Sequence, residues 1–245
     1  MDKRHYHRPG LEKEDRMPRK KPVRGIFGYI TAIMASSLLL VLWPQIGNAQ
    51  GQTSLDKSAS YYKKNYTFTA DWFYTRIETW NKILAPFKNR ADVAYLEIGV
   101  FEGRSLLWML ENVLTHPSAR ATGIDKFSGA LEKRFRDNLD LSGAASKVKV
   151  IKGYSNVELR KLSINSFDII YIDGSHLGKD VFVDAALSWS LLKKSGVLIF
   201  DDYGWTVAPL PEDRPKMAID AFLALFKKEI QVLEKGYQVI VTKQR

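Results

Sequence analysis

The sequence predicts an α/β protein: a doubly wound, mostly parallel sheet of seven strands, with an antiparallel C-terminal hairpin and an N-terminal hydrophobic segment. Three observations carry that expectation. The chain has 245 residues, 45% of them apolar and 12% aromatic, enough to bury one domain of roughly 200 residues and too apolar for a disordered chain. From about residue 93 onward, short β-rich apolar runs alternate with amphipathic stretches, the pattern of a parallel sheet covered on both faces. Near the C-terminal end, two apolar runs flank Lys235-Gly236 and read as a hairpin.

Taken in order, residues 1–25 are a basic, polar tail. Residues 26–49 read as a signal peptide or a membrane anchor. Within them, residues 26–43 are uncharged and would span about 27 Å as a helix at roughly 1.5 Å per residue, just the depth of a bilayer core. Gly47-Asn48-Ala49 also offers the small residues that a leader peptidase reads. The basic flank places residues 1–25 inside and the rest outward, so the expectation is a membrane-associated or exported protein. If the true start is Met17 or Met34, the expectation becomes cytoplasmic. Residues 50–60 are polar and read as a linker, and residues 61–245 form the catalytic-size domain.

In that domain Phe73, Ile77, Trp80 and Leu84 recur at helical spacing up to Pro86. The aromatic window 61–87 is either a packed covering helix or a substrate-facing lid, and such a helix could mediate a homodimer. Strand runs follow at 93–98, 120–124, 147–151, 167–172 and 197–200. Helices are expected near 104–115, 129–139, 155–162 and 179–193, the last ending at Ser195-Gly196 as a helix C-terminus. A further helix near 214–228 precedes the hairpin runs 230–233 and 237–242.

Cysteine is absent, which excludes disulfides, zinc-thiolate sites and a cysteine nucleophile. The net charge is +10, but residues 1–49 carry 9 basic and 4 acidic side chains, so half the excess lies outside the domain. The domain shows no clustered basic face, and no nucleic-acid partner is expected.

In an open α/β sheet, ligands bind beyond the carboxyl ends of the strands. The first end reads Glu97-Ile98-Gly99-Val100-Phe101-Glu102-Gly103, two glycines four apart in a strand-to-helix turn. Glycine lets backbone approach a ligand closely, and a carboxylate at Glu97 disfavours a pyrophosphate while suiting an amine or a hydroxyl. The second end places Asp125 22 residues beyond Gly103, the separation at which a carboxylate reaches a ribose. The third gives Asp173-Gly174-Ser175-His176, and the fourth Asp201-Asp202. If these two strands are neighbours, Asp173, Asp201 and Asp202 converge, and three carboxylates together call for a hard divalent cation such as Mg²⁺. His176, beside Asp173, is then a candidate base; the other histidines are His5, His7 and His116.

The Ile-Asp-Gly-Ser-His and Phe-Asp-Asp-Tyr tips, together with the glycine turn, resemble the class I S-adenosylmethionine-dependent methyltransferases. The resemblance covers about 180 residues and lies with the branch of macrocin-type sugar O-methyltransferases and, more distantly, catechol O-methyltransferase. It implies a Rossmann-like methyltransferase fold and S-adenosylmethionine as cofactor, with O-methylation of a small hydroxylated acceptor assisted by a divalent metal. It further implies that Glu97, Gly99 and Gly103 line the methionine moiety, that Asp125 holds the ribose, and that Gly153, Tyr154 and Ser155 lie near the adenine. Asp173, Asp201 and Asp202 would bind Mg²⁺, and His176 would serve as base. Many relatives follow that histidine with an aromatic, where this chain has Leu177-Gly178. Two other readings stay open from the residues: a nicotinamide-binding oxidoreductase, weakened by Glu97 and the lack of a tight G-x-G, and a catalytically silent, membrane-tethered binding domain.

Overall fold

The structure, a computed structural model, describes residues 61–244. Seven strands form one sheet: β1 (Ala94–Ile98), β2 (Arg120–Asp125), β3 (Val148–Lys152), β4 (Phe167–Ile172), β5 (Leu192–Phe200), β6 (Ile230–Lys235) and β7 (Val239–Lys243). Their order is β3-β2-β1-β4-β5-β7-β6. β1 to β5 run parallel, and β7 enters antiparallel between β5 and β6. The chain reverses its direction of winding between β1 and β4, which sets a crevice at their carboxyl ends.

Alternation along the central strands sorts the core into two layers. Tyr95, Ile169, Tyr171, Val197 and Ile199 face one layer, with α1 (Ile77–Ile83) and α2 (Arg104–Asn112) packed on it. Leu96, Ile98, Ile170, Ile172, Leu198 and Phe200 face the other, under α5 (Gly178–Leu191) and α6 (Pro215–Leu225). β4 is buried along its whole length, as a central parallel strand covered on both faces must be. Between β2 and β4, α3 (Gly129–Ser142) and α4 (Ser155–Glu158) complete the helices.

The expected helical face of Phe73, Ile77, Trp80 and Leu84 is found, but as a short α1 between two 3₁₀ turns. All four side chains are buried within the domain itself. The face on which a homodimer was expected is therefore already covered, and that expectation has no support here.

One helix end differs from the sequence reading. α5 stops at Leu191, and Ser195-Gly196 lies inside β5 rather than at a helix C-terminus. Leu192 pairs with Phe167, yet Val197 pairs with Ile169, so β5 carries extra residues as a bulge. Ser195 takes φ 63° there, and a Cβ on Gly196 would stand 3.0 Å from the Asp168 carbonyl oxygen. The glycine that looks like a helix stop serves a close approach between strands.

The expectation of a membrane-associated or exported protein is also corrected. No helix among the described residues is long and apolar enough to cross a membrane. The tail, the segment 26–49 with its signal-peptide or anchor reading, and the linker 50–60 lie outside the described residues.

Candidate active site

The glycine turn after β1 is held by Asp125 from the tip of β2. Its Oδ2 accepts hydrogen bonds from the amides of Val100 at 2.8 Å and Phe101 at 3.0 Å, and its Oδ1 from Phe127 at 2.8 Å. Phe101 has a positive φ of 52°, so the carboxylate stabilises a turn that a larger residue adopts reluctantly. Asp125 thus has a structural role in addition to facing the crevice.

Gly99 and Gly103 both adopt φ +85°, but for different reasons. A Cβ on Gly103 would collide with the Phe135 ring at 2.7 Å, so this glycine lets α2 and α3 pack together. A Cβ on Gly99 would meet backbone of Asp173 and Gly174, at the tip of β4. Glu97 lies wholly buried beneath the turn, where Tyr95 Oη and Ser105 Oγ each donate to its carboxylate at 2.6 Å. Burial drives its pKa up to about 8, only partly offset by these two hydrogen bonds.

Two cavities meet at this turn. One, of about 330 Å³, is lined by Gly99, Asp125, Gly153, Tyr154, Ser155 and Asp184 among others. The second, of about 310 Å³, extends from Gly99, Asp125 and Ser105 to Asp173, His176 and Asp201. Gly99, Asp125 and Gly174 line both. Gly153, Tyr154 and Ser155, named from the sequence, therefore share a wall system with Gly99 and Asp125; Glu97 and Gly103 sit behind it. Asp184 was not foreseen: it is buried on α5, accepts a hydrogen bond from Ser155 Oγ at 3.0 Å, and is pushed up to about 6 by desolvation.

The acids at the tips of β4 and β5 do converge. Tyr171 Oη lies 2.9 Å from Asp173 Oδ2 and 2.5 Å from Asp201 Oδ2. A phenol has one proton to donate, so one of the two contacts is satisfied only when that carboxyl is itself protonated. Both carboxyls are shifted above the ordinary range, chiefly by burial and also by neighbouring acids, against the lowering effect of the Tyr171 hydrogen bonds. Asp202 points its Oδ2 at His176 Nε2, 2.8 Å away, and its Oδ1 accepts from Tyr237 Oη at 3.1 Å. The hydrogen bond that the ring donates to Asp202 raises the imidazole pKa, and the ring stacks on Trp205 with centroids 5.0 Å apart.

Asp173, His176 and Asp202 each offer one ligand atom, all within 4.8 Å of one another. Two carboxylates and an imidazole at that spacing fit a single divalent cation. Asp201 adjoins them but is engaged by Tyr171 and by the Asp202 amide at 2.8 Å. The sequence reading expects Asp173, Asp201 and Asp202 around one ion with His176 as base; the structure brings all four side chains to one place, with Asp173, His176 and Asp202 nearest one another and Asp201 hydrogen-bonded beside them.

A third cavity, about 970 Å³, opens beside this cluster and is walled by Phe68, Trp72, Arg76, Trp205 and Tyr237 as well as the acids. Its outer wall, residues 68–76, is strapped down by Glu102, which accepts from the Thr69 amide and hydroxyl at 2.6 Å and pairs with Arg134 at 2.5 Å. Phe73, Trp80 and Phe87 pack in the core, while Phe68, Trp72 and Tyr74 line a cavity.

A sheet of this order, with a glycine turn and an acid at the tips of β1 and β2, has the Rossmann-like methyltransferase fold. The family comparison points the same way: residues 96–203 match the family model described as a methyltransferase domain. A nicotinamide-dependent oxidoreductase is not favoured by that match. An uncharacterized protein of Acanthamoeba polyphaga mimivirus is 33% identical over 126 residues, which cover 49% of this chain and 56% of the viral protein. The chain thus spans little more than half the length of that curated relative. Among solved structures, the O-methyltransferase from Bacillus cereus in complex with SAH aligns with a TM-score of 0.54 at 15% identity, over 76% of this chain and 86% of its own. MycE methyltransferase from the mycinamycin biosynthetic pathway, in complex with Mg, SAH and mycinamycin VI, aligns with a TM-score of 0.55 at 19% identity, over 77% of this chain and 53% of its own. At these identities the likeness is one of fold.

Proposed function

We propose that this chain is an S-adenosylmethionine-dependent O-methyltransferase that holds a small hydroxylated acceptor with the help of a divalent cation. The observation that carries the reading is the meeting of Asp173, His176 and Asp202 where the cavity beginning at Gly99 reaches the large one. When bound, S-adenosylmethionine supplies an electrophilic methyl group, and a divalent cation supplies Lewis acidity toward a hydroxyl.

The two smaller cavities would take the cofactor, with Asp125, Tyr154, Ser155 and Asp184 toward the nucleoside end and Asp173 and His176 toward the reacting end. Asp173 and Asp202 would hold the cation, with Asp201 beside them, and crowded carboxyls with raised pKa values are the groups that gain most from such a neighbour. His176 would then serve as base and not as a ligand, accepting the acceptor's proton, and Asp202 would stabilise the resulting imidazolium. Trp205 fixes the ring plane in which that proton is received. Alignment of hydroxyl and methyl donor is then the protein's main contribution to rate.

The test measures SAH binding by calorimetry and methyl transfer to a panel of hydroxylated acids, phenols and sugars, with Mg²⁺ and with EDTA. Binding of SAH together with EDTA-sensitive transfer supports the proposal. Absence of SAH binding would overturn it, and transfer indifferent to EDTA would remove the cation from it.

A further inference from the structure

Arg76 closes the 3₁₀ turn of residues 74–76 and lines the large cavity. Its guanidinium lies over the Tyr237 ring, 4.4 Å from the centroid. The guanidinium makes no hydrogen bond or ion pair with any described residue, and its Nε is buried without a partner. The charge of Asp201 reaches this guanidinium without a hydrogen bond or ion pair, so its rigid fork of donors keeps its hydrogen-bonding capacity for an acceptor group from outside the fold. Arg104, also on this wall, is by contrast engaged by the Ala70 carbonyl at 3.0 Å and by Asp71 at 3.4 Å.

The position of Arg76 relative to the acids is set by Tyr237. The ring carries the guanidinium on its face while its hydroxyl donates to Asp202 at 3.1 Å, so a single phenol ring separates the two. A molecule whose hydroxyl reaches the acid cluster can therefore place a second group on Arg76 without being large. The surface around it is aromatic, from Phe68, Trp72, Tyr74 and Trp205, which suits a planar apolar body. Asp201 and Asp202 share the cavity, and their field favours a monoanion over a doubly charged phosphate.

Resting on the methyltransferase reading, we propose that Arg76 is a specificity residue that binds the carboxylate of the acceptor, and that the acceptor is a hydroxylated aromatic acid. The pairing would be bidentate, the form in which a guanidinium recognises a carboxylate most selectively.

Calorimetric binding of 3,4-dihydroxybenzoate and of its neutral near-isostere 3,4-dihydroxybenzamide, each with SAH and Mg²⁺ present, tests this in the full chain. The wild type should bind the acid about tenfold or more tightly than the amide, as a charge-assisted pair requires. Arg76→Gln should bring the two within about threefold by weakening the acid alone, and Arg76→Lys should restore part of the preference. Unchanged SAH affinity in the variants reports that the fold is intact. Equal binding of acid and amide by the wild type overturns the assignment. So does an equal loss of both probes in Arg76→Gln, which would make Arg76 a counter-ion for the acids. If neither probe binds while SAH does, the acceptor class is wrong and the methyltransferase reading stands; if SAH does not bind, both fall.

Discussion

A Cβ placed on Gly99 would fall 2.0 Å from the carbonyl oxygen of Asp173 and 2.7 Å from the Cα of Gly174. The turn that opens the smaller cavities and the tip that carries the first acid of the cluster are thus in backbone contact. They are further tied by the hydrogen bond from the Asp173 amide to the Ile98 carbonyl at 2.8 Å.

Gly99→Ala should therefore damage both sites at once. The left-handed backbone alone costs about 1–2 kcal/mol for an L-residue, and the clash with backbone must be relieved by moving the Asp173 tip. A lower thermal midpoint, weaker SAH binding and weaker Mg²⁺ binding are all expected. Loss of SAH affinity with Mg²⁺ binding intact would contradict the coupling.

Asp173→Asn separates what Gly99→Ala joins. It keeps the shape of the tip but removes a charge from the cluster, so turnover should fall by about 10²-fold or more. SAH affinity should stay within about threefold. Calorimetry beside a methyl-transfer assay reads both, and the metal-free protein should melt no lower than wild type because a crowded buried charge has been removed.

Glu97 gives the domain a pH dependence of definite sign. Its carboxyl is shifted from 4.5 to about 8 by burial, so the folded chain binds a proton that the unfolded chain has lost in this window. Stability should decline as pH rises from about 4.5 toward about 8, where the folded group also ionises. Tyr95 and Ser105 face it directly, and Asp125, Asp173 and Tyr171 sense its charge. Glu97→Gln should flatten the slope of thermal midpoint against pH; an unchanged slope would assign it to other groups.

His176→Gln should lower kcat by about 10²- to 10⁴-fold, the usual contribution of a positioned base, with SAH affinity preserved. Trp205→Ala leaves the imidazole chemically intact and removes only the ring stacked on it, so its loss in kcat should be smaller. Steady-state kinetics on one hydroxylated substrate compares the two, and a larger effect at Trp205 would shift its role from positioning to acceptor binding.

Much of this was legible in the residues. The run 167–172 is β4 to the residue, because a strand buried on both faces is apolar nearly throughout, here with Asp168 as the exception, paired with Arg90 and Lys193. The strand-tip acids converge because β4 and β5 are neighbours. What failed is instructive: Ser195-Gly196 mimics a helix terminus, and only the pairing of β5 with β4 reveals the bulge. At the glycine turn the structure adds packing reasons that the residues did not show, the Asp173 backbone beside Gly99 and the Phe135 ring beside Gly103, while Gly99 also lines both smaller cavities. The tyrosine beside each buried acid did leave a signal, since Tyr95-Leu96-Glu97 and Tyr171-Ile172-Asp173 place hydroxyl and carboxyl on one side of a strand. Arg76 and Tyr237 left none, because they meet only through tertiary packing across most of the chain.

Residues 68–76 and Tyr237, which form much of the large cavity's wall, both lie outside the stretch 96–203 that matches a methyltransferase domain. The cavity beside Tyr154 and Asp184 touches neither of them. On the proposed function, retooling this protein for a new acceptor would be a matter of rewriting the strap and the hairpin loop, with the other end of the sheet left as it stands.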